Sequence, residues 1–321
     1  MIFEQPGLLK QRIAEVAKRS LNGRIQVFED TSPFMSIDPG SVLRVAGNDY
    51  FVMGYAREGR FGLDEEPKYW VKRTIDLTTG ERKIIKLVFR ETFDSRVGTT
   101  VFRCARSLEK ESAILAKMRG HPHFMQGESA FDLAGNLVLI IDFIPGPSLY
   151  DHLRQLPMPH ATYYREVLPK LMQSLIGCMD AISQMHSHGL HHGDIRADHI
   201  ILKNRSDAFV WIDFDYETSQ PNYDLLCLGN VLNQIVGKGR HSIYDIRLRP
   251  EEYPDFHGSL TLDDMSQMFQ HRVANLRKLF PYISADLNAI LMRFSFGSRN
   301  PYPDVDTLVA DLLTVFCGGR C

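Results

Sequence analysis

The spacing of hydrophobic residues changes along the chain and predicts two kinds of structure. From Val42 onward, short β-rich runs alternate with turn residues, which is typical of antiparallel strands. The predicted strands cover residues 50–55, 69–76, 83–89, 124–131 and 137–143. One helical stretch, roughly residues 101–118, interrupts them. We therefore expect this part of the chain to form a twisted antiparallel sheet with one helix.

Helical periodicity dominates after Pro145-Gly146-Pro147. The predicted elements of this region are a long helix over 167–185, a small hairpin of 200–202 with 210–212, and helices over 224–236, 263–280, 285–294 and 305–316. An amphipathic helix over 8–21 precedes the sheet, and Asn22-Gly23 provides its C-terminal stop. The order of elements predicts a β-rich part followed by a mainly helical part.

Composition and charge narrow the function classes. The 321 residues are 44% hydrophobic and 24% charged, which is ordinary for a globular protein. A net charge of −2 gives no reason to expect nucleic acid as a partner. No apolar run approaches the length of a membrane span, and no basic segment followed by an apolar one opens the chain. With five scattered cysteines, which suit reduced thiols, these features predict a cytoplasmic protein without a membrane partner.

The strongest chemical signal is a pair of aspartates that flank the predicted small hairpin. Asp194 lies in the segment 192–199, which reads HGDIRADH, and Asp213 lies in the segment 211–215, which reads WIDFD. Alone, either aspartate could cap a turn or end a strand. Together they provide one carboxylate that can accept a hydroxyl proton and another that can hold a divalent cation. This combination is what phosphoryl transfer needs.

These segments resemble the protein-kinase superfamily, and the resemblance extends from about Val42 to Leu313. The segment 192–199 looks like the family's H-R-D-L-x-x-x-N loop, and 213–215 looks like its D-F-G motif. The resemblance implies a bilobal kinase fold that holds ATP between its lobes. It also implies that Asp194 is the base or orienter of the acceptor hydroxyl and that Arg196 contacts the γ-phosphate.

The upstream part of the chain carries further matches. Residues 69–89 read YWVKRTIDLTTGERKIIKLVF and resemble the family's second and third strands. Lys86 matches the lysine that grips the α- and β-phosphates of ATP. Glu111, followed by SAIL, matches the helix glutamate that pairs with that lysine. The resemblance therefore counts both residues in the catalytic set.

The resemblance also implies a set of nucleotide contacts. The segment 140–146 looks like the hinge between the lobes, where backbone groups of Asp142 and Ile144 would bond adenine. Gly59 and Gly62 are two of the three glycines expected in a phosphate-covering loop. Ile201, in the small hairpin, completes the predicted ATP-binding residues.

The chain departs from the family pattern at several positions. His199 stands where the family places asparagine, the second metal ligand, beside Asp213 as the first. Imidazole suits manganese or zinc better than magnesium, so the predicted divalent cation is Mg²⁺ or, in preference, Mn²⁺. Ile84 replaces a small alanine above adenine. Gly193 replaces the arginine that reads a phosphorylated activation loop, which argues against control by that route.

The largest departure is the short interval between the metal site and the central helix. Only 11 positions (224 − 213) separate Asp213 from Asp224, and the A-P-E motif is missing. Aminoglycoside and choline phosphotransferases share this short segment and the H-G-D spelling, whereas Arg196 and the C-terminal helices look like those of bacterial Ser/Thr kinases. The acceptor can therefore be a protein or a small molecule, and a pseudokinase that binds nucleotide or acts as a scaffold is the alternative.

The predicted organisation follows from these matches. We expect an N-terminal helical extension over residues 1–41, a kinase N-lobe over 42–143 and a kinase C-lobe over 144–321. The predicted fold class is α+β, with a β-rich N-lobe that contains one main helix and a mainly helical C-lobe.

Overall fold

The computed structural model describes residues 2–19, 23–58, 66–204, 206, 208–220 and 222–318. The chain divides into two compact units. The first unit comprises Met1–Glu91, Arg106–His121 and Met125–Ile144, and the second comprises Thr92–Ala105, Pro122–Phe124 and Pro145–Cys321. The segment 92–105 therefore belongs to the second unit, although its flanking residues belong to the first.

The first unit is built on a mixed sheet in which all pairs but one are antiparallel. Its strands are β1 (Val27–Phe28), β2 (Val42–Val45), β3 (Asn48–Glu58), β4 (Glu66–Asp76), β5 (Arg82–Leu87), β8 (Gly127–Phe131) and β9 (Leu137–Asp142). They lie in the order β1-β2-β3-β4-β5-β9-β8, and the short pair β1–β2 is parallel. The strands predicted from β-rich runs between turn residues are thus confirmed, with ends that differ by a few residues.

Helix α1 (Pro6–Ala17) packs on this sheet through Leu9 and Ile13, which are buried against Phe51 and Leu77. The predicted helix over 8–21 is therefore confirmed in part, because the observed helix ends earlier. Its C-cap residue, Lys18, adopts a left-handed conformation with φ 53° that stops the helix.

The first unit also holds helix α2 (Leu108–Lys117). Ser107 caps its N-terminus by accepting a hydrogen bond from the backbone N–H of Lys110. The predicted helix over 101–118 is wrong in its first half, because residues Thr100–Arg106 form strand β7. The pattern misled because buried Phe102 and Cys104 have a period of two, while their apolar neighbours also fit a helix.

Strands β6 (Thr92–Val97) and β7 form a hairpin that the sequence analysis missed. The hairpin extends into a sheet of order β12-β7-β6, in which β12 (Tyr216–Thr218) follows the D-F-D motif. Its inner face carries buried Val97, Phe102 and Cys104. This inserted hairpin therefore fixes the segment that leads away from Asp213.

The remainder of the second unit is mainly helical. Its helices are α3 (Leu149–Gln155), α4 (His160–Glu166), α5 (Leu168–Ser187), α6 (Tyr223–Val236), α7 (Ile243–Leu248), α8 (Ala285–Met292) and α9 (Val305–Cys317). The small antiparallel hairpin β10 (Ile200–Leu202) and β11 (Phe209–Trp211) packs on α5, where the Trp211 indole N–H donates to the Cys178 carbonyl at 2.8 Å. The predicted long helix, the small hairpin and the helices over 224–236, 285–294 and 305–316 are confirmed.

The predicted helix over 263–280 is wrong. This stretch forms the 3₁₀ turns Leu262–Asp264 and Leu276–Lys278 joined by irregular chain. Its apolar residues are nonetheless buried, as Val273 and Leu279 are fully enclosed, so the spacing reflects core packing without a helix. Within the described residues, no helix combines the length and the apolar character that crossing a membrane requires.

These elements confirm the predicted α+β fold class, with a β-rich N-terminal unit and a mainly helical C-terminal unit.

Candidate active site

In the first unit, Lys86 and Glu111 form a buried ion pair. Lys86 lies on β5, between Val71 of β4 and Leu139 of β9, and Glu111 lies in the first turn of α2. The Lys86 ammonium donates to both Glu111 carboxylate oxygens, at 2.7 and 2.9 Å. The Glu111 side chain is fully buried and the Lys86 side chain is 6% exposed. The structure thus brings together the two residues that the resemblance paired.

The predicted adenine-binding residues lie at the end of the same sheet. Asp142 is the last residue of β9; its backbone N–H donates to the Gln126 carbonyl, and its side chain accepts from Lys83 at 2.7 Å. Ile144 follows two positions later, in non-repetitive chain. Gly59 and Gly62, predicted to cover the phosphates, lie outside the described residues.

In the second unit, the Asp224 carboxylate holds the loop that carries Asp194. Asp224 lies in the first turn of α6 and is 3% exposed. One of its oxygens accepts from the His192 backbone N–H at 2.7 Å, and the other accepts from the Gly193 N–H at 2.8 Å. His186 donates to the first oxygen from α5 at 2.9 Å. Asp224 thus connects two helices to the backbone immediately before Asp194.

The electrostatics of Asp224 match this role. Burial alone would raise the pKa of the carboxyl, but hydrogen bonds from His186 and Gly193 and the nearby His192 outweigh burial and lower the pKa to about 2. The carboxylate is therefore ionised at neutral pH, and hydrogen bonds to an ionised acceptor are among the stronger ones in proteins.

Two unusual backbone conformations shape the loop ends. Gly193 has φ 82° and Asp213 has φ 68°. Glycine adopts such angles without steric cost, which explains why position 193 is a glycine. For Asp213 the same region is strained, and non-glycine residues held there are enriched at functional sites.

His199 lies between the two aspartates. It belongs to the 3₁₀ turn Ala197–His199 and is 3% exposed. Its Nδ1 is 2.8 Å from the Asp194 carbonyl oxygen and 3.5 Å from an Asp194 carboxylate oxygen. Its Nε2 is 3.4 Å from the Asp213 carboxylate. The structure thus brings together Asp194, His199 and Asp213, as the motif spacing predicts.

The hydrogen-bond partners of His199 assign its ring nitrogens. A carbonyl oxygen only accepts, so Nδ1 carries the hydrogen that it shares with Asp194. The Arg196 guanidinium only donates, and its Nη2 lies 3.0 Å from Nε2, so Nε2 presents a lone pair. Nε2 also lies 3.4 Å from the Asp213 carboxylate, so it is the His199 atom that could act as a metal ligand beside Asp213.

Arg196 is held by neighbours within the loop. Its guanidinium donates to both carboxylate oxygens of Asp198, at 2.6 and 3.2 Å, and its Nε lies 4.0 Å from Asp194. Burial would raise the pKa of Asp198, but the nearby His199, the charge of Arg196 and the hydrogen bond from Arg196 lower it. Asp198 therefore forms an ion pair with Arg196.

The donor set at Asp213 and His199 fits a divalent cation. One carboxylate oxygen and one imidazole nitrogen lie 3.4 Å apart, a separation that ligands of a common ion can have. Because Arg196 donates to the same Nε2, an ion bound there would require the guanidinium to move aside. Ile201 lies on β10 opposite Val210, one residue from the strand end that follows His199.

Sequence reasoning missed the anchoring residues of the site. His186 and Asp224 are 38 positions apart, and only the packing of α5 against α6 brings them together. His192, fully buried, packs edge to face against Trp211 and Phe214, with ring centroids 5.3 and 5.1 Å away. Their position inside or next to the recognised motifs was the only sign in the sequence that these residues belong to the site.

Comparison with known proteins gives several matches to serine/threonine kinases. The chain is 25% identical over 145 residues to death-associated protein kinase dapk-1 of Caenorhabditis elegans, covering 44% of this chain and 9% of that protein. It is 24% identical over 217 residues to the probable serine/threonine-protein kinase fnkE of Dictyostelium discoideum, covering 66% and 16%. It is 23% identical over 248 residues to the serine/threonine-protein kinase RAD53 of Saccharomyces cerevisiae, covering 75% and 28%. No family model matches the chain.

These similarities, the fold and the order of the motifs support a protein-kinase-like superfamily for the chain. The chain spans less than a third of the length of each of these three relatives.

The Asp224 contacts give a prediction that does not depend on catalysis. Asp224→Asn leaves one acceptor oxygen for the three N–H groups that the carboxylate now receives. We expect the variant to lose about 1–3 kcal/mol of unfolding free energy, because buried donors lose their partner. Amide hydrogen exchange at His192 and Gly193 should also accelerate. Asp180→Asn is the control, since Asp180 is an exposed carboxylate that accepts only from Gln184. Unchanged exchange at both amides would contradict the anchoring role.

Proposed function

We propose that the protein is an ATP-dependent phosphotransferase that transfers the γ-phosphate to a hydroxyl group of a protein or small-molecule acceptor. The observation that carries the proposal is the convergence of Asp194 and Asp213 on His199, on a loop anchored by Asp224. A carboxylate that can take a proton and a carboxylate that can hold a cation are the two groups that hydroxyl phosphorylation requires.

The Lys86–Glu111 pair supports nucleotide binding. Burying two opposite charges costs desolvation energy that their attraction only partly returns, so such a pair is weak evidence for a purely stabilising role. A lysine whose ammonium is fixed by a carboxylate is suited to hold anionic oxygens in a defined position. In the proposed function Lys86 contacts the α- and β-phosphates of ATP, with adenine bonded by the backbone of Asp142 and Ile144.

The remaining roles belong to the second unit. Asp194 accepts the proton of the acceptor hydroxyl, or orients that hydroxyl, and Arg196 contacts the γ-phosphate after leaving Asp198. Asp213 and His199 would hold the divalent cation that accompanies ATP. When bound, such an ion neutralises phosphate charge. Kinase-like relatives support ATP and a divalent cation in general.

One observation favours the alternative, a pseudokinase that binds nucleotide or acts as a scaffold. Arg196 donates to His199 Nε2 and to Asp198, an arrangement that satisfies the loop without any ligand. If this arrangement persists with nucleotide present, His199 is a structural residue and Asp213 holds the cation without it. The metal experiment below separates the two functions.

The first prediction for this function concerns ATP. Because a ligand that binds only the native state raises its stability, ATP with a divalent ion should raise the melting temperature. Lys86→Ala should remove most of that rise. Lys117→Ala, which removes an exposed lysine at the end of α2, should retain the rise and serves as the control. If the parent protein shows no shift with Mg²⁺ or Mn²⁺, nucleotide binding is ruled out.

The second prediction concerns the cation. We propose that His199 shifts the preference from Mg²⁺ toward Mn²⁺, because imidazole is a softer ligand than the amide oxygen of asparagine. The ratio of Mn²⁺- to Mg²⁺-supported ATP stabilisation should therefore exceed one in the parent and fall in His199→Asn. A ratio that is the same in both proteins would mean that His199 does not contact the ion, and it would favour the pseudokinase.

The inserted hairpin bears on the acceptor. Phe93 and Phe102 of the hairpin contact Tyr216 of β12 and Tyr223 of α6, each pair with ring centroids 5.1 Å apart. Burial raises the pKa of the Tyr223 hydroxyl, and the nearby Cys227 and the charge of Asp194 add to the rise. The hairpin core therefore packs on β12 and the start of α6, along the segment on which a kinase would lay a peptide.

We therefore predict that generic Ser/Thr peptides are phosphorylated poorly or not at all. Activity should fall on a small molecule, on one dedicated partner or on the protein itself. The measurement is radiolabelled phosphate transfer to peptides, metabolites and the protein itself, with Asp194→Asn as the blank. Strong labelling of generic peptides that depends on Asp194 would contradict the argument from the short segment and the hairpin. Labelling of nothing, with ATP still bound, would favour the pseudokinase.

A further inference from the structure

Two histidine side chains lie near one carboxylate oxygen of Asp224, at the end of α5 and the start of α6. His186 lies in the last turn of α5, His191 in the loop that follows, and Asp224 in the first turn of α6. Their ligand atoms all lie within 4.8 Å of one another. We propose that these three side chains form a binding site for a transition-metal ion of the zinc class. The site shares no ligand with the pair Asp213 and His199.

The distances are close to those of a zinc site. Asp224 Oδ2 lies 2.9 Å from His186 Nε2 and 3.9 Å from His191 Nδ1. Ligands about 2.0–2.2 Å from a tetrahedral zinc ion lie about 3.4 Å from each other, so the two observed separations fall on either side of this value.

The ligand types select the metal. Two imidazoles and one carboxylate form a three-ligand set that zinc uses with water in the fourth position. Imidazole nitrogen favours zinc and its late transition-metal neighbours over Mg²⁺ and Ca²⁺, which prefer all-oxygen sites. Mg²⁺ should therefore compete poorly here, and Mn²⁺ binds such ligands more weakly than Zn²⁺ does.

The carboxylate is already oriented for this purpose. Backbone N–H groups of His192 and Gly193 each bond one Asp224 oxygen, and such outer contacts fix the direction of a ligand. The carboxylate oxygen Oδ2 has a further lone-pair direction for an ion once His186 turns its nitrogen to the metal. The His191 side chain is 65% exposed, which gives the ion a path from solvent.

The two histidines differ in their relation to Asp224. His186 is explained by its hydrogen bond to Asp224, but the His191 nitrogen at 3.9 Å is beyond hydrogen-bond distance from that carboxylate. The two imidazole rings are nevertheless close, with centroids 4.8 Å apart and planes tilted by 51°. A metal ion would account for the approach of both rings to the same oxygen.

Occupancy of this site bears directly on the loop of Asp194. Asp224 would then serve both the ion and the backbone just before Asp194, so zinc would change how firmly that loop is held. Zinc binding itself does not depend on the proposed phosphotransferase activity, and the test below requires neither ATP nor an acceptor.

The test is a Zn²⁺ titration of the full, metal-stripped chain against a chromogenic chelator. A His199→Asn background removes the imidazole of the proposed nucleotide-cation pair. In that background, we expect His191→Ala to weaken zinc affinity at the tightest site by at least about 10- to 100-fold. Removal of a residue that only supports a metal ligand already has an effect of this size, and His191 is a proposed ligand. His188→Ala is the matched control, because His188 is an exposed histidine three positions earlier and outside the cluster. It should bind zinc like the background protein.

Co²⁺ provides a second readout of the same site. Its visible absorption distinguishes four-coordinate from six-coordinate ions, and we expect a four-coordinate spectrum that His191→Ala abolishes and His188→Ala retains. Melting curves of both variants without metal check that each is folded. Equal zinc affinity in His191→Ala and the background protein would overturn the proposal. Equal losses in the two variants would also overturn it, because exposed histidines in general would then bind the zinc.

Discussion

The loop that carries the proposed base depends on one buried carboxylate. Asp224 starts the central helix of the second unit, and its two oxygens receive the backbone N–H groups of His192 and Gly193 and the imidazole of His186. Since a fully buried anion without partners would be strongly destabilising, the loop and the carboxylate require each other. Gly193, one of the attached residues, has φ 82°, and the same loop continues to His199, which lies 3.4 Å from Asp213.

The first unit applies the same physical solution to a different pair. Lys86 and Glu111 are both removed from water, and the Lys86 ammonium lies within 2.9 Å of both Glu111 carboxylate oxygens. Truncating either residue would deprive the other buried charge of this ion pair. In both units, groups proposed to act on phosphate are thus positioned by ionic hydrogen bonds between elements that are distant in sequence, β5 with α2 and α5 with α6.

The sequence allowed prediction where local pattern and chain order carry the information. The strands of the first sheet are short β-rich runs separated by turn residues, and Lys86, Glu111, Asp194 and Asp213 are recognisable by their order along the chain. It did not allow prediction of contacts that arise only from packing, such as His186 with Asp224. The helix predicted over 263–280 was wrong because Val273 and Leu279 are buried in the core although they lie in irregular chain. The strand β7 was missed because its apolar residues also fit a helix, and its second partner, β12, lies far away in the sequence.

That distant partnership has a consequence for how the chain folds. Strand β7 pairs with β12, which is made about 110 residues later, and its inner face packs against α6, which follows β12. During synthesis, Phe102 and Cys104 therefore leave the ribosome long before the residues that bury them. The second unit cannot complete its core until Tyr223 and Leu226 are available. Docking of the hairpin is therefore a long-range step in folding. Such steps are intrinsically slow, because the entropy cost of closing the loop comes before the stabilising contacts form. Until then the hairpin exposes an apolar strand edge, the feature that chaperones protect and that aggregation exploits.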